Sequence, residues 1–124
     1  MSTAFRQAVE AKDLDAMEAA LAPDVVFRSP VVFKTYEGRE ATMALLRLVV
    51  QVFEDFEYTD ELESGNSACL VFKARAGDRE LQGIDYLELD EDGQVARLTV
   101  LIRPLSGLNA VAEAMGALLA QAQA

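Results

Sequence analysis

The second half of the chain contains four stretches in which apolar and polar residues alternate, each followed by a turn signal. Alternation of this length predicts β-strands that cover one face and expose the other. The predicted strands lie at about 56–63, 68–76, 79–90 and 94–103. The turn signals are Gly65-Asn66, Gly77-Asp78 and the run from Asp90 to Gly93. Together they predict an antiparallel meander that ends before Pro104.

Helical periodicity occupies much of the first half of the chain and its C-terminal end. The predicted helices lie at about 3–21, 38–53 and 106–122, with a short strand at 24–29. The first helix is expected to break near Lys12 and Asp13, where Asp13 can cap a second short helix. These elements predict a single α+β domain over residues 1–124.

The composition excludes several classes of function. A chain of 124 residues that is 52% hydrophobic is expected to form one globular domain with an ordinary core. Its formal net charge of −10 opposes binding to nucleic acid. Histidine is absent and Cys69 is alone, which excludes histidine triads and His- or Cys-rich metal sites. We also expect no metal and no cofactor. Because no signal peptide or membrane span is evident, we expect a cytoplasmic location and no membrane contact.

Asp85 interrupts the apolar phase of its strand. The residues that share its phase are Leu81, Gly83, Leu87 and Leu89. A buried carboxylate without a partner is unfavourable, so such groups usually acquire a raised pKa or a dedicated partner. They are also enriched at functional sites. Asp85 is therefore the candidate catalytic residue.

Turn geometry predicts the register around Asp85. A four-residue loop at residues 90–93 places Asp85 opposite Leu98, and a two-residue turn at 77–78 places it beside Leu70. The residues predicted to frame the carboxylate are Leu70, Leu87, Leu98 and Val100, with Gly83 leaving space nearby.

The opposite face of the predicted sheet mixes charged and apolar side chains. Its apolar members are Val71, Ile84, Tyr86, Val95 and Leu101. A mixed face with this much apolar area indicates a partner surface, most simply a second copy of the chain. We therefore expect a homodimer formed through the outer sheet face.

The order helix, helix, short strand, helix and antiparallel meander resembles the nuclear transport factor 2-like superfamily, which includes SnoaL-like proteins and ketosteroid isomerases. The segments that carry the likeness are Lys12–Met17, Leu21–Pro30, Tyr36–Glu40 and Gly83–Val95. The resemblance implies a cone-shaped fold, in which N-terminal helices pack on a curved antiparallel sheet and leave an apolar pocket, with a C-terminal helix. The fold hosts many unrelated functions, so activity depends on individual residues.

The resemblance to ketosteroid isomerases is incomplete at the catalytic positions. Their oxyanion-binding tyrosine on the first helix matches Phe5, and their general base, an aspartate before the proline of the short strand, matches Ser29. Their second, protonated aspartate matches Asp85, and a supporting tyrosine on the third helix matches Leu46. One of three central groups is retained, which disfavours isomerisation by that mechanism.

Two other activities of the fold make different demands. Limonene epoxide hydrolases use two aspartates and an arginine, but the arginine position is Gly83 here and no second inward aspartate is evident. SnoaL-like polyketide cyclases use an aspartate to move a proton next to a carbonyl, a role that Asp85 can fill. The sequence does not decide between an enzyme and a binding protein.

The resemblance also implies a pocket with a mainly apolar wall. The predicted lining residues are Phe5, Val9, Phe27, Ser29, Leu46, Leu70, Phe72, Leu87, Leu98, Val100 and Ile102. The alternative for Asp85 is a structural carboxylate bonded to a nearby hydroxyl, amide or arginine, for which the candidates are Arg28, Ser29 and Thr42. The C-terminal helix either covers the pocket or packs on a partner.

Two hypotheses follow from these observations. In the first, the protein binds a small apolar molecule around Asp85, with a weak isomerase, cyclase or lyase activity on a hydrophobic carbonyl compound. In the second, it is a non-catalytic homodimeric module whose pocket is filled by its own side chains. An open cavity of roughly 300 Å³ or more reached by Asp85 favours the first hypothesis.

Overall fold

A computed structural model of the chain describes residues 3–123 and shows four helices and a curved six-stranded sheet. The helices are α1 (Ala4–Glu10), α2 (Leu14–Ala20), α3 (Arg39–Val52) and α4 (Leu105–Gln123). The strands are β1 (Leu21–Arg28), β2 (Thr35–Glu37), β3 (Glu54–Ser64), β4 (Ser67–Ala76), β5 (Arg79–Leu89) and β6 (Val95–Arg103). The predicted α+β architecture is confirmed, whereas β2 was not predicted because three residues are too few to show an alternating pattern.

The break between the first two helices lies where the sequence predicts it. Lys12 has a φ angle of 56°, which ends α1 by turning the backbone into the left-handed region. Asp13 then caps α2, because its Oδ1 accepts a hydrogen bond from the Ala16 N–H at 3.0 Å. The two short helices bury Phe5 and Met17 in the core.

The sheet has the strand order β2-β1-β6-β5-β4-β3. Strands β3 to β6 form the predicted antiparallel meander, and β1 pairs with β6 in parallel. Helix α3 packs against β1, while α4 packs against β4, β5 and β6. The helices therefore cover one face of the sheet, and Asp85 projects from β5 toward that covered side. Across residues 3–123, no helix has the length and apolar character needed to cross a membrane.

The register on one side of Asp85 is as predicted, and on the other side it is not. Leu70 pairs with Asp85 across β4 and β5, which confirms the predicted two-residue turn. Across β5 and β6, Asp85 lies opposite Val100, whereas the prediction placed it opposite Leu98. The loop is one residue shorter than expected. The Asp90 N–H donates to the Gln94 carbonyl at 2.8 Å, which leaves three residues between them and not four.

A bulge at Ala96 adds a second single-residue shift in the same direction, between the Glu88–Arg97 and Leu89–Val95 pairs. The two shifts sum to an even number, so the residues of β6 beyond the bulge keep their predicted faces. Val95 lies before the bulge and changes face. Val95 is 1% exposed and lies in the core, whereas the prediction placed it on the outer face.

A further irregularity in β3 decides which residues of that strand face the helices. Tyr58 pairs with Phe72, but Asp60 pairs with Val71, so Thr59 is an extra residue without a partner on β4. The bulge places Tyr58 and Glu61 on the covered face, although residues three apart in a regular strand lie on opposite faces.

Candidate functional site

A cavity of about 750 Å³ lies between the helices and the covered face of the sheet. Its wall is mainly apolar and includes residues of all four helices. Helix α4 contributes Val111, Ala112, Met115, Gly116 and Leu119. The sequence left open whether the C-terminal helix covers the pocket or packs on a partner, and in the structure it forms part of the cavity wall.

Most residues of the predicted pocket line this cavity. Those that do are Phe5, Val9, Phe27, Ser29, Leu46, Leu98, Val100 and Ile102, together with Asp85. Leu70, Phe72 and Leu87 do not line it, because they are at most 1% exposed and belong to the closed core. Gly83 leaves no free space either, since the Phe72 ring already occupies the volume that a Cβ atom there would need.

Asp85 has a partner that the sequence did not indicate. The Tyr58 hydroxyl donates a hydrogen bond to Asp85 Oδ2 at 2.7 Å, reaching across β4 from β3 to β5. Tyr58 is 6% exposed, and Asp85 is half-buried with part of its side chain on the cavity wall. The two residues form a hydrogen-bonded acid pair at the surface of an apolar cavity.

The partners proposed from the sequence are engaged elsewhere. Ser29 Oγ accepts a hydrogen bond from the Val31 N–H at 3.0 Å, within its own turn. Thr42 Oγ1 donates to the Gly38 carbonyl at 2.9 Å, inside the first turn of α3. Arg28 is exposed at the end of β1. Asp85 thus has the hydroxyl partner that the structural alternative predicts, but the partner is Tyr58 and not one of the three candidates.

Burial raises the pKa of Asp85 from 3.8 to about 6, and the hydrogen bond from Tyr58 lowers the pKa against that trend. Burial and the neighbouring Asp85 carboxylate raise the pKa of Tyr58, so its hydroxyl stays protonated. A carboxyl group of pKa about 6 has appreciable amounts of both protonation states near neutral pH. Asp85 is thus suited to accept and return a proton.

Other charged residues of the cavity wall lie at its rim. Glu10, Lys12, Asp55 and Glu57 line the cavity but are exposed to solvent. Ser29 and Tyr36 are half-buried. Within residues 3–123, no group of three or more His, Cys, Asp or Glu side chains is placed to hold a metal ion.

Residues 2–98 match the model of the SnoaL-like domain family. The chain belongs to the SnoaL-like family. The protein is 42% identical to a steroid delta-isomerase from Pseudomonas aeruginosa, with a TM-score of 0.91 over 96% of this chain and 88% of that one. The relationship to steroid isomerases thus extends over nearly the whole domain.

Other solved structures share the fold. An uncharacterised protein with a cystatin-like fold from Silicibacter pomeroyi is 32% identical, with a TM-score of 0.87 over 92% of this chain and 81% of that chain. A nuclear transport factor 2-like protein from Cytophaga hutchinsonii is 21% identical, with a TM-score of 0.63 over 82% of this chain and 85% of that chain. The latter likeness shows the fold alone. No protein with a curated functional description matches the chain.

In this SnoaL-like protein, the positions that match the isomerase groups surround the same cavity. Phe5, Ser29 and Leu46 line it together with Asp85. The hydroxyl beside Asp85 comes from Tyr58 on β3, whereas the matching tyrosine of the isomerases is on the first helix, at the position of Phe5. The site therefore contains an acid pair whose tyrosine is on a strand and not on the first helix.

Proposed function

We propose that this SnoaL-like protein binds a hydrophobic carbonyl compound in its cavity and moves a proton at the carbon next to the carbonyl, with Asp85 as the base. The observation that carries the proposal is a carboxyl group with a pKa of about 6 on the wall of an apolar cavity of about 750 Å³. That volume is in the range of small-molecule sites. The 42% identity to a steroid delta-isomerase supports a double-bond shift in a neutral ketone.

One carboxyl group is sufficient for such a shift. The substrate of this step is a ketone with a C=C bond between its β and γ carbons. Ionised Asp85 takes a proton from the carbon between the carbonyl and that C=C bond, and the electron pair of the C–H bond becomes a new C=C bond while the carbonyl oxygen takes the negative charge, which gives a dienolate. Return of the proton to the far carbon of the dienolate gives the conjugated ketone and restores the carboxylate. Tyr58 binds Asp85 Oδ2 and holds the group in place, so that Oδ1 serves as the base.

The cavity supports this proposal over a module filled by its own side chains. Phe5 and Phe27 line the cavity but leave about 750 Å³ open between the helices and the sheet. The hydrogen bond to Tyr58 is what a structural carboxylate would also have, so ligand binding needs a direct test.

The test is the thermal unfolding midpoint of the protein with neutral steroid ketones and smaller hydrophobic ketones. A ligand present at about 100 times its Kd stabilises the folded state by about 2.7 kcal/mol and raises Tm by several degrees. Ala112→Phe puts a ring on the cavity wall and should abolish this increase. Ala117→Phe, on an exposed position of α4, is the matched control and should retain it. An equal increase for both variants would contradict binding in the cavity.

We also propose that two copies associate through the outer sheet face, which is compatible with ligand binding. Leu101 is 57% exposed on this face, and Val71, Ile84 and Tyr86 around it are half-buried. Burying these side chains against a second copy would remove them from water. Sedimentation should show a dimer for the native chain and a monomer for Leu101→Glu. A monomeric native chain at micromolar concentration would contradict this proposal.

A further inference from the structure

Arg6 lies over the aromatic ring of Tyr58. Its guanidinium carbon is 5.4 Å from the ring centroid, within the range of a cation–π contact. Two carboxylates hold the guanidinium in place: Glu61 Oε1 lies 2.9 Å from Nη1, and Glu10 Oε2 lies 3.3 Å from Nε. The side chains of Arg6 and Glu61 are 20% and 10% exposed, so this pair is shielded from solvent.

The bulge at Thr59 makes this arrangement possible. It brings Tyr58 and Glu61 onto the same face of β3, where Tyr58 reaches Asp85 and Glu61 reaches Arg6 on α1. Phe56 packs edge-on against the Tyr58 ring with the ring centroids 4.9 Å apart. Phe72 also packs edge-on against this ring, with the centroids 6.4 Å apart. The guanidinium is therefore the polar member of a set of groups that enclose the ring.

We propose that Arg6 is a positioning residue: held by Glu61, it fixes the Tyr58 ring so that its hydroxyl stays on Asp85, and it thereby sets the proton affinity of the base. The inference rests on the proposed function, because it assigns Arg6 a role through the acid pair of Tyr58 and Asp85.

The other elements around Asp85 contribute few charged groups. The cavity-lining residues of α2, α3, α4 and β6 are apolar. Glu10, Lys12, Asp55 and Glu57 are exposed at the rim, and Tyr36 is half-buried. Because the rim charges are exposed, solvent screens their effect on Asp85. A change in the pKa of Asp85 on altering Arg6 therefore reports on the local set of Arg6, Glu61 and Tyr58.

The experiment follows the carboxyl carbon of Asp85 by NMR as a function of pH, which needs neither substrate nor turnover. The variant is Arg6→Gln with Glu61→Gln, a double change because Glu61 Oε2 is buried with no hydrogen-bond partner in the described part of the chain. Loss of Arg6 alone would leave that carboxylate unpaired. The matched control is Arg97→Gln with Glu88→Gln, which removes a 2.8 Å ion pair between β5 and β6 on the outer face of the sheet.

We expect the double variant at the Arg6 pair to raise the pKa of Asp85 by at least about half of the increase caused by Tyr58→Phe, as follows from partial loss of a hydrogen bond to the charged form. The control pair should leave the pKa unchanged. An unchanged pKa in the Arg6 double variant, alongside a raised pKa in Tyr58→Phe, would overturn the inference and leave the proposed function intact.

Two other results are possible, and each has a defined consequence. If the double variant fails to fold, Arg6→Met with Glu61→Gln keeps an apolar side chain of similar length, and the same increase is expected because the guanidinium is absent. If Tyr58→Phe itself leaves the pKa of Asp85 unchanged, the acid pair does not exist in solution, and both the inference and the role of Tyr58 are wrong.

Discussion

The Tyr58 hydroxyl reaches Asp85 across the whole width of β4, and the two groups meet at 2.7 Å on the wall of the cavity. The hydrogen bond lowers the pKa of Asp85, while burial raises it. The balance leaves Asp85 with a pKa of about 6, between that of a free carboxyl group and that of an unpaired buried one. The proton affinity of Asp85 therefore depends on Tyr58 as well as on the apolar wall, and burial has the larger effect.

Replacing Tyr58 with Phe removes this hydrogen bond and should raise the pKa of Asp85 above its value of about 6. A hydrogen bond to a charged group contributes about 1.5–3 kcal/mol, which corresponds to an increase of about 1–2 in the pKa. The pKa is measured from the NMR titration of the Asp85 carboxyl carbon. Tyr86→Phe, on the same strand as Asp85 but with its hydroxyl outside the cavity, is the control and should not change it.

Asp85→Asn should make the protein more stable above pH 6 and leave its stability unchanged near pH 4. The folded-state pKa of about 6 lies above the ordinary value of 3.8, so the folded state binds the proton more tightly than the unfolded state does. This carboxyl group therefore loses its favourable contribution as pH rises from about 4 to 6, at a cost of up to about 3 kcal/mol.

Asn keeps an oxygen that can accept the Tyr58 hydrogen bond but carries no charge. Because Asp85 is partly open to the cavity, we expect a gain of about 1–2 kcal/mol in the free energy of unfolding at pH 8. Urea unfolding at pH 4 and pH 8 measures it. A variant that is less stable than the native protein at pH 8 would show that Asp85 is a structural carboxylate.

Gly83→Ala should destabilise the protein by about 1–3 kcal/mol, because the new methyl group has no room. A Cβ atom at Gly83 would collide with the Phe72 ring and would lie 2.7 Å from the Leu101 carbonyl oxygen. Gly116→Ala is the control: a Cβ atom there meets nothing within 4 Å, and Ala favours a helix by about 0.5–1 kcal/mol. Urea unfolding distinguishes the two, and equal stabilities for both variants would contradict this close packing.

The sequence was sufficient to predict every described element except β2, and to find Asp85. A carboxylate in the apolar phase of a strand is visible without any structure, and the two-residue turn at 77–78 correctly predicts Leu70 beside it. The family resemblance adds the helices that cover the sheet. Local pattern and turn chemistry are sufficient for these features, because they depend on residues close in the chain.

Tyr58 could not be found in the same way, because its face depends on a bulge. Extending the regular pairing of Ser64 with Ser67 along β3 would place Tyr58 opposite Lys73 on the outer face. The extra residue at Thr59 moves it opposite Phe72 and turns it inward. The bulge is a feature of how β3 pairs with β4, which the alternation of a single strand does not reveal.

The proposed reaction is tested most directly by deuterium uptake from D₂O into a neutral steroid ketone at the carbon next to its carbonyl, followed by NMR. We predict that the native protein catalyses the exchange with a rate that rises with pH through about 6, as Asp85 ionises. Asp85→Asn should lower the rate by at least about 100-fold, whereas Glu57→Gln, at the exposed rim of the same cavity, should not change it. Exchange by Asp85→Asn at the native rate, or no exchange above buffer with the native protein, would contradict the account.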